Sequence, residues 1–302
     1  MPQQTTESPY YFAYGSNLNE ADWRQYCARV QVKHDVIEAV GTAVLPDMQL
    51  CFDYFSGSRG GGALNIRPAR GHIVHGVLFR ASSSGWSALD GKEGAPYCYE
   101  QVQRAALMPD GSQVPVITYE VTDMMRRDFC PPSAEYREIV ADGLKAWGLP
   151  AAGLERAADN RAAKAEIDRI FVYGTLMRDE HNAPLIPESL ILELRYASVR
   201  GLLYDTGFAF PALALPNDEH DIVQGECLQI TQMPTLLETL DTLEGFYGYG
   251  DTESLYYRTL TQVCTRDNKQ VRAWCYIGAR PETLHRRIKS GCWRTHCSTT
   301  EI

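Results

Sequence analysis

The sequence predicts an α+β chain built as two tandem copies of one unit. Three features carry that expectation: chain length, a duplicated aromatic-to-glycine corner, and strand-like runs interleaved with helix-like acidic segments. At 302 residues the chain exceeds the ~100–200 residues typical of a single domain. The stretch YYFAYGSNLNEADW (residues 10–23) ends an apolar run in Gly-Ser-Asn. RIFVYGTLMRDE (residues 169–180) repeats the apolar run, the Tyr-Gly step and the small hydroxyl residue after it. Each corner is followed at a similar distance by Leu-Asp-x-x-Glu-Gly, as LDGKEG ending at Gly94 and as LDTLEG ending at Gly245. Between these landmarks each copy also carries a strand-like run, HGVLFR or QGECLQI. Matches in the same order mark a diverged tandem duplication.

Alternating or wholly apolar runs predict strands at residues 10–14, 48–54, 73–80, 114–121, 170–173, 223–230 and 271–277. Residues 82–94 open with serines suited to cap a helix and close in Gly, as a short helix with a glycine stop does. Residues 231–245 form its counterpart. There Leu236, Leu240 and Leu243 make an i, i+4, i+7 stripe that would face a core. Residues 150–169 are rich in Ala, Glu and Arg, which predicts a helical tail and then a linker. The two domains are accordingly expected at 10–157 and 168–297.

Composition narrows the function classes. A net charge of −9 without a basic cluster lacks the electrostatic footprint that nucleic acid or an anionic membrane requires. No apolar run approaches the ~20 residues of a membrane-spanning helix. The expected partner is a small molecule, with no nucleic acid and no membrane. The leader MPQQTTESP has neither the basic flank nor the apolar core of a secretory signal. Nine scattered cysteines, with no Cys-x-x-Cys pair, agree with a reducing cytoplasm in which Cys acts as a small apolar residue. A cytoplasmic location is the expectation.

The motifs support a resemblance. FAYGSNL, CFDYFSGSRGGGALNI, LDGKEG and PPSAEYREIVADGLKAWGLP, in that order, make the first copy resemble the γ-glutamylcyclotransferases. FVYGTLM, PALAL, QGECLQI, LDTLEG, YYRTL and AWCYI make the second resemble the AIG2-like, or γ-glutamylamine cyclotransferase, branch. The resemblance implies that each copy is a small, strongly bent mixed β-barrel with flanking helices. It also implies release of pyroglutamate from a γ-glutamyl compound, a lyase-like intramolecular acyl transfer in which the substrate's own α-amine attacks its γ-carbonyl. That reaction calls for no metal and no cofactor.

It does call for a base. An α-amine has a pKa near ~8, and its ammonium form cannot attack; the departing amine must in turn collect a proton. One carboxyl with its pKa raised toward neutrality can do both, so Glu93 and Glu244 are the catalytic candidates. The corners supply the other half, because a tight strand-to-helix turn points consecutive amides into one concavity suited to an anion. Tyr14, Gly15, Ser16, Asn17 and Leu18 in the first copy, with Tyr173, Gly174, Thr175 and Leu176 in the second, are the substrate-binding candidates. The resemblance adds Tyr136 for the first copy. Asp90 and Asp241, three residues before each Glu, either share its helix face and raise its pKa or bond locally as structural groups.

Other features carry less. His72 and His75 point to opposite faces of a strand, against a metal site. The stretch GSRGGGA, residues 57–63, lacks the Lys-Ser/Thr ending of a phosphate loop, although Arg59 can face an anionic substrate. The second copy has Tyr256-x-Arg258 where the first reads Tyr97-Cys98-Tyr99, and Leu176 where the first has Asn17. The sites are therefore expected to differ in substrate. Two alternatives stand beside catalysis in both copies: one active domain with a degenerate partner, or a non-catalytic protein that binds a γ-glutamyl ligand.

Overall fold

The computed structural model describes residues 9–215, 221–280 and 283–300. All of the expected N-terminal leader except Pro9 lies outside them. The chain divides into two compact units, Met1–Met108 with Val114–Lys164, and Pro109–Gln113 with Ala165–Ile302. Each contains a closed five-stranded barrel.

In the first unit the strands are β1 (Tyr10–Ala13), β2 (Ile37–Ser56), β3 (Gly61–Ala81), β4 (Tyr99–Leu107) and β5 (Gln113–Val121). They close in the order β1-β3-β2-β4-β5, with β1 and β5 parallel and β1 antiparallel to β3. Helices α1 (Glu20–Arg29), α2 (Ser83–Glu93), α3 (Ala134–Ala146) and α4 (Ala152–Ala158) flank it. The runs expected at 48–54 and 73–80 are segments of one much longer hairpin. β2 and β3 pair from Ile37↔Ala81 to Ser56↔Gly61, with register shifts at Ala39/Gly41, Pro46/Met48 and Cys51/Tyr54. Each irregularity breaks the period-two pattern that sequence reading relies on, and each bends the ribbon, which lets strands this long wrap into a barrel.

The second unit repeats the topology. β6 (Arg169–Val172), β7 (Ile191–Arg200), β10 (Ile222–Ile230), β11 (Tyr256–Thr265) and β12 (Gln270–Gly278) close in the order β6-β10-β7-β11-β12, again with a parallel pair, β6 with β12. Here the long hairpin is divided. Its outer part, β8 (Leu202–Asp205) and β9 (Pro211–Ala214), forms a separate sheet with β13 (Arg286–Arg287). Helices α5 (Met233–Leu243) and α6 (Trp293–Thr300) complete it. The expected leucine stripe needs one correction. Met233, Leu236, Leu237 and Leu240 are buried, whereas Leu243 is exposed because the helix ends there and its last turn projects beyond the core.

One steric device recurs in both barrels. A β-carbon on Gly76 would lie 2.3 Å from the Ala13 carbonyl oxygen and 2.4 Å from the Phe12 ring. One on Gly225 would lie 2.3 Å from the Val172 oxygen and 2.6 Å from the Phe171 ring. Both Phe residues are fully buried, so the glycines admit the aromatic core ring beside the strand that leads to each Tyr-Gly corner. Gly76→Ala and Gly225→Ala are therefore each expected to destabilise their unit by about 1–3 kcal/mol through overpacking. Thermal or urea unfolding of the single variants checks this, with the affected transition shifting and the other staying in place.

Candidate active site

The same local device positions both glutamates. Gly94 and Gly245 adopt left-handed φ angles of 65° and 58° just after Glu93 and Glu244. The amides two residues beyond each Glu reach back over the helix end, Ala95 to the Asp90 carbonyl and Phe246 to the Asp241 carbonyl, both at 2.9 Å. This is a Schellman closure, favoured by glycine because only it enters the left-handed region without steric cost. It turns the final carboxylate off the helix axis toward the Tyr-Gly corner.

Asp90 and Asp241 take the structural role. Asp90 accepts hydrogen bonds from Tyr119 at 2.7 Å and Gln101 at 2.8 Å. Asp241 accepts from Tyr276 at 2.6 Å and from Arg258 Nη1, which reaches both carboxylate oxygens at 3.0 Å. These pairings correct the alignment expected from sequence. Tyr99 and Tyr256 are the equivalent tyrosines, donating to the Leu64 and Pro211 carbonyls. Gln101, two residues later, stands where the second unit has Arg258. The acidic helix end is thus braced in both units, by a neutral amide in one and a buried guanidinium in the other.

In the first unit the corner and the glutamate touch. Asn17 Nδ2 donates to Glu93 Oε1 and to the Tyr11 hydroxyl, each at 2.8 Å. Lys92 Nζ donates to Asn17 Oδ1 and to Asp22 Oδ2, each at 2.6 Å. Arg59 grips both oxygens of Asp22, reaches Ser16 Oγ at 3.2 Å and lies over the Tyr136 ring, 5.2 Å from its centroid. The Tyr136 hydroxyl accepts from the Leu64 amide at 3.3 Å and lies 3.8 Å from where a Gly15 β-carbon would be. Helix α3 delivers Tyr136 by docking Gly143 against Leu18, where a β-carbon would come within 2.9 Å. Burial raises the Glu93 pKa; the Lys92 charge, the Asn17 hydrogen bond and Arg59 oppose it.

In the second unit Glu244 lines a cavity of ≈ 260 Å³ together with Tyr173, Gly174, Thr175, Leu176, Asn182 and Tyr256. It has no side-chain hydrogen bond or ion pair among the described residues, and burial alone pushes its pKa up to about 7. Asn182, which the sequence did not single out, joins the site by donating Nδ2 to Thr175 Oγ1 at 2.9 Å. No spacing or motif marks it, since it is a loop residue folded back onto the corner.

The remaining candidates divide by role. Tyr14 and Tyr173 are buried and spend their hydroxyls on the Tyr119 and Tyr276 carbonyls, at 2.6 and 2.9 Å. They wall the site and tie the corner to the barrel. Leu18 is a core residue whose amide closes onto the Gly15 carbonyl at 3.0 Å. Among the described residues, the Ser16 and Asn17 amides, like those of Thr175 and Leu176, donate to no backbone or side-chain acceptor. They are the groups able to meet an anion.

Among the described residues no cluster of three or more His, Cys, Asp or Glu side chains is arranged to hold a metal. No helix among them is long and apolar enough to cross a membrane. A larger cavity of ≈ 560 Å³ in the second unit, lined by Tyr196, Ser198, Gln224, Arg266 and Arg294, carries no carboxylate or imidazole.

Comparison with known proteins gives concordant results. A family described as Gamma-glutamyl cyclotransferase, AIG2-like, matches residues 11–138 and again 170–295. The chain is 34% identical over 127 residues to the Gamma-L-glutamyl-butirosin B gamma-glutamyl cyclotransferase of Niallia circulans, spanning 42% of this chain and 76% of that one. It is 30% identical over 152 residues to the Gamma-glutamylcyclotransferase of Mus musculus, spanning 49% and 76%. A solved structure of a gamma-glutamyl cyclotransferase is 27% identical with a TM-score of 0.43, covering 52% of this chain and 89% of that one.

The raised Glu244 pKa has a consequence for stability. Between the ordinary carboxyl pKa of 4.5 and about 7 the folded state holds a proton that the unfolded chain releases. Stability conferred by the neutral carboxyl is thus complete below pH 4.5 and lost as pH rises toward 7, by about 3 kcal/mol at roughly 1.4 kcal/mol per pKa unit. Glu244→Gln, which mimics the neutral form, is expected to melt higher than the wild type at pH 8 and level with it near pH 4.5. Thermal unfolding across that range is the check.

Proposed function

Since the chain belongs to the γ-glutamyl cyclotransferase, AIG2-like family, we propose that both units, taken as residues 10–157 and 168–297, release pyroglutamate (5-oxoproline) from γ-glutamyl compounds, with Glu93 and Glu244 as general acid/base. The observation that carries this reading is the recurrence, in two diverged copies, of a half-buried glutamate beside a Tyr-Gly corner whose next two amides have no acceptor among the described residues. The γ-glutamyl group enters with its α-amine toward the carboxylate. Glu removes a proton from the ammonium, and the freed amine attacks the γ-carbonyl to close a five-membered lactam. Negative charge grows on the carbonyl oxygen, where the Ser16 and Asn17 amides, or those of Thr175 and Leu176, can receive it. The carboxyl then passes its proton to the departing nitrogen as the C–N bond breaks, which restores the carboxylate, and the second proton shed by the ring nitrogen ends on the expelled amine, which leaves as its ammonium. Because nucleophile and electrophile belong to one molecule, the protein's task is to fold the substrate and relay protons from its α-nitrogen to the leaving nitrogen.

Environment suits each glutamate to both halves of that task. A carboxyl of pKa about 7 is a stronger base than a solvated one and, once protonated, gives up its proton readily near neutral pH. Burial works in the same direction at Glu93, where Asn17 additionally fixes the orientation of one carboxylate oxygen.

Glu93→Gln and Glu244→Gln are each expected to preserve the fold and remove about 10²–10⁴ of the turnover at the altered site. The test is mass-spectrometric measurement of pyroglutamate from a γ-glutamyl library. Wild-type turnover by the double variant on every substrate refutes the assignment, and loss confined to one single variant identifies a degenerate partner unit. Saturable binding with no pyroglutamate from the wild type establishes the non-catalytic alternative.

In a chain carrying Glu93→Gln, turnover by the second unit should fall as pH drops through about 7, because Glu244 must be ionised to accept the ammonium proton. A pH–rate profile of kcat/KM checks this, and a flat profile from pH 5 to 8 would exclude Glu244 as the base. Chelator treatment is expected to leave turnover unchanged in both units.

A further inference from the structure

The two glutamates sit in opposite electrostatic settings, and the difference comes from two positions. Lys92 precedes Glu93, while Leu243 precedes Glu244. The first unit's hairpin tip places Arg59 over the Tyr136 ring, whereas residues 206–210 at the second unit's tip contain no cation. Lys92 and Arg59 both act electrostatically on Glu93. At Glu244 burial is the cause of the raised pKa. Along with the cations the second unit has lost Asn17, replaced by Leu176.

Apolar surface stands in their place. Phe210, Leu243 and Leu255 line the Glu244 cavity. Phe208 stacks on Phe210 with centroids 6.3 Å apart and rings inclined by 25°, and Phe210 continues to Tyr256 at 6.5 Å. Phe208 is 78% exposed and Leu255 61%. Large apolar side chains gathered around the mouth of a carboxylate-bearing cavity, and left in water, are surface for a ligand body to cover.

We propose that the Glu244 site takes γ-glutamyl conjugates of arylalkylamines that lack a carboxylate, with Phe208, Phe210, Leu243 and Leu255 forming the subsite for the leaving group. This inference rests on the cyclotransferase reading of the second unit. The γ-glutamyl end occupies the corner and Glu244, and the amide nitrogen points to the mouth, so the amine's body lies against the aromatic pair. A carboxylate on that amine would approach the ionised Glu244 with no nearby cation to offset the repulsion or replace its water. An aryl group would remove the exposed rings from water instead.

The test uses the full-length chain carrying Glu93→Gln and three substrates: γ-glutamyl-2-phenylethylamide, γ-glutamylphenylalanine, which adds only a carboxylate to the same skeleton, and γ-glutamylethylamide, which lacks the ring. The phenylethylamide is expected to lead each of the others by about 10-fold or more in kcat/KM, the scale at which apolar pockets discriminate. Leu243→Lys, which installs the first unit's cation at an exposed position, should narrow the gap to γ-glutamylphenylalanine. Phe208→Ser should narrow the gap to the ethylamide, chiefly through KM. Equal kcat/KM for all three, or a preference for γ-glutamylphenylalanine, overturns the subsite while leaving pyroglutamate release by this unit in place. Absence of pyroglutamate from all three overturns the subsite together with the reading beneath it.

Discussion

A glutamate at the C-terminal end of a helix meets the negative pole of the helix dipole, and once buried it also loses the water that stabilises its charge. Both effects oppose ionisation, and the rest of each unit is arranged around holding a carboxyl there. The Schellman closure at Gly94 and Gly245 turns the side chain inward. The aspartate three residues earlier pins the last helical turn to the barrel through Tyr119 and Gln101, or through Tyr276 and Arg258. The first tyrosine of each corner closes the circuit by bonding the carbonyl of that same barrel tyrosine. Helix end, corner and barrel strand are thereby fixed to one another by polar contacts inside an apolar shell, where such bonds are strong and a missing partner is costly.

The copies satisfy this constraint by different means. The first surrounds its glutamate with a chain of charges, Arg59 to Asp22 to Lys92, and joins the chain to Glu93 through the amide of Asn17. The cations offset part of the desolvation of the carboxylate, and Asp22 offsets part of theirs. The second unit moves its cation away from the glutamate. Arg258 is fully buried under Phe246, Tyr249 and Trp274 and is paired with Asp241, so its charge braces the helix. Glu244 is left with burial as the one influence on its pKa. A duplication that retained the glutamate has thus diverged in what surrounds it.

The split of the long hairpin belongs to the same divergence. In the first unit β2 and β3 run unbroken to the Gly57–Arg59 turn. Gly61 and Gly62 there lie so close to the backbone of Cys130–Ser133 that no side chain fits, which carries Arg59 over Tyr136. In the second unit the corresponding tip is a separate sheet, and Pro211 abuts Gly174, where a β-carbon would come within 2.6 Å. The second unit's tip carries Phe208 and Phe210, and the first unit's carries Arg59 and a run of glycines. In both units the outer hairpin acts as a side wall whose composition sets the character of the site.

What the sequence determined by itself is whatever depends on short-range order. The two Tyr-Gly corners, the Leu-Asp-x-x-Glu-Gly helix ends and the tandem repeat were legible because local backbone chemistry dictates them. Glycine is favoured at a left-handed cap, as at Gly94 and Gly245, and serine or asparagine at a helix start, as at Asn19, Ser82 and Ser133. The resemblance built on those motifs led to the family and to the barrel. Tertiary structure alone decided what depends on which side chains meet. Strand bulges erased the alternation that would have revealed the full length of β2 and β3, and the misplaced pairing of Tyr99 with Arg258 could be put right only by the hydrogen bonds to Leu64 and Pro211. That Tyr14 spends its hydroxyl on the fold, that Lys92 reaches Asn17 and that Asn182 enters a site no motif assigns to it are facts of packing. So is the difference between Glu93 and Glu244, because the pKa of a carboxyl is set by the burial and charges around it in space, and residues distant in sequence supply both.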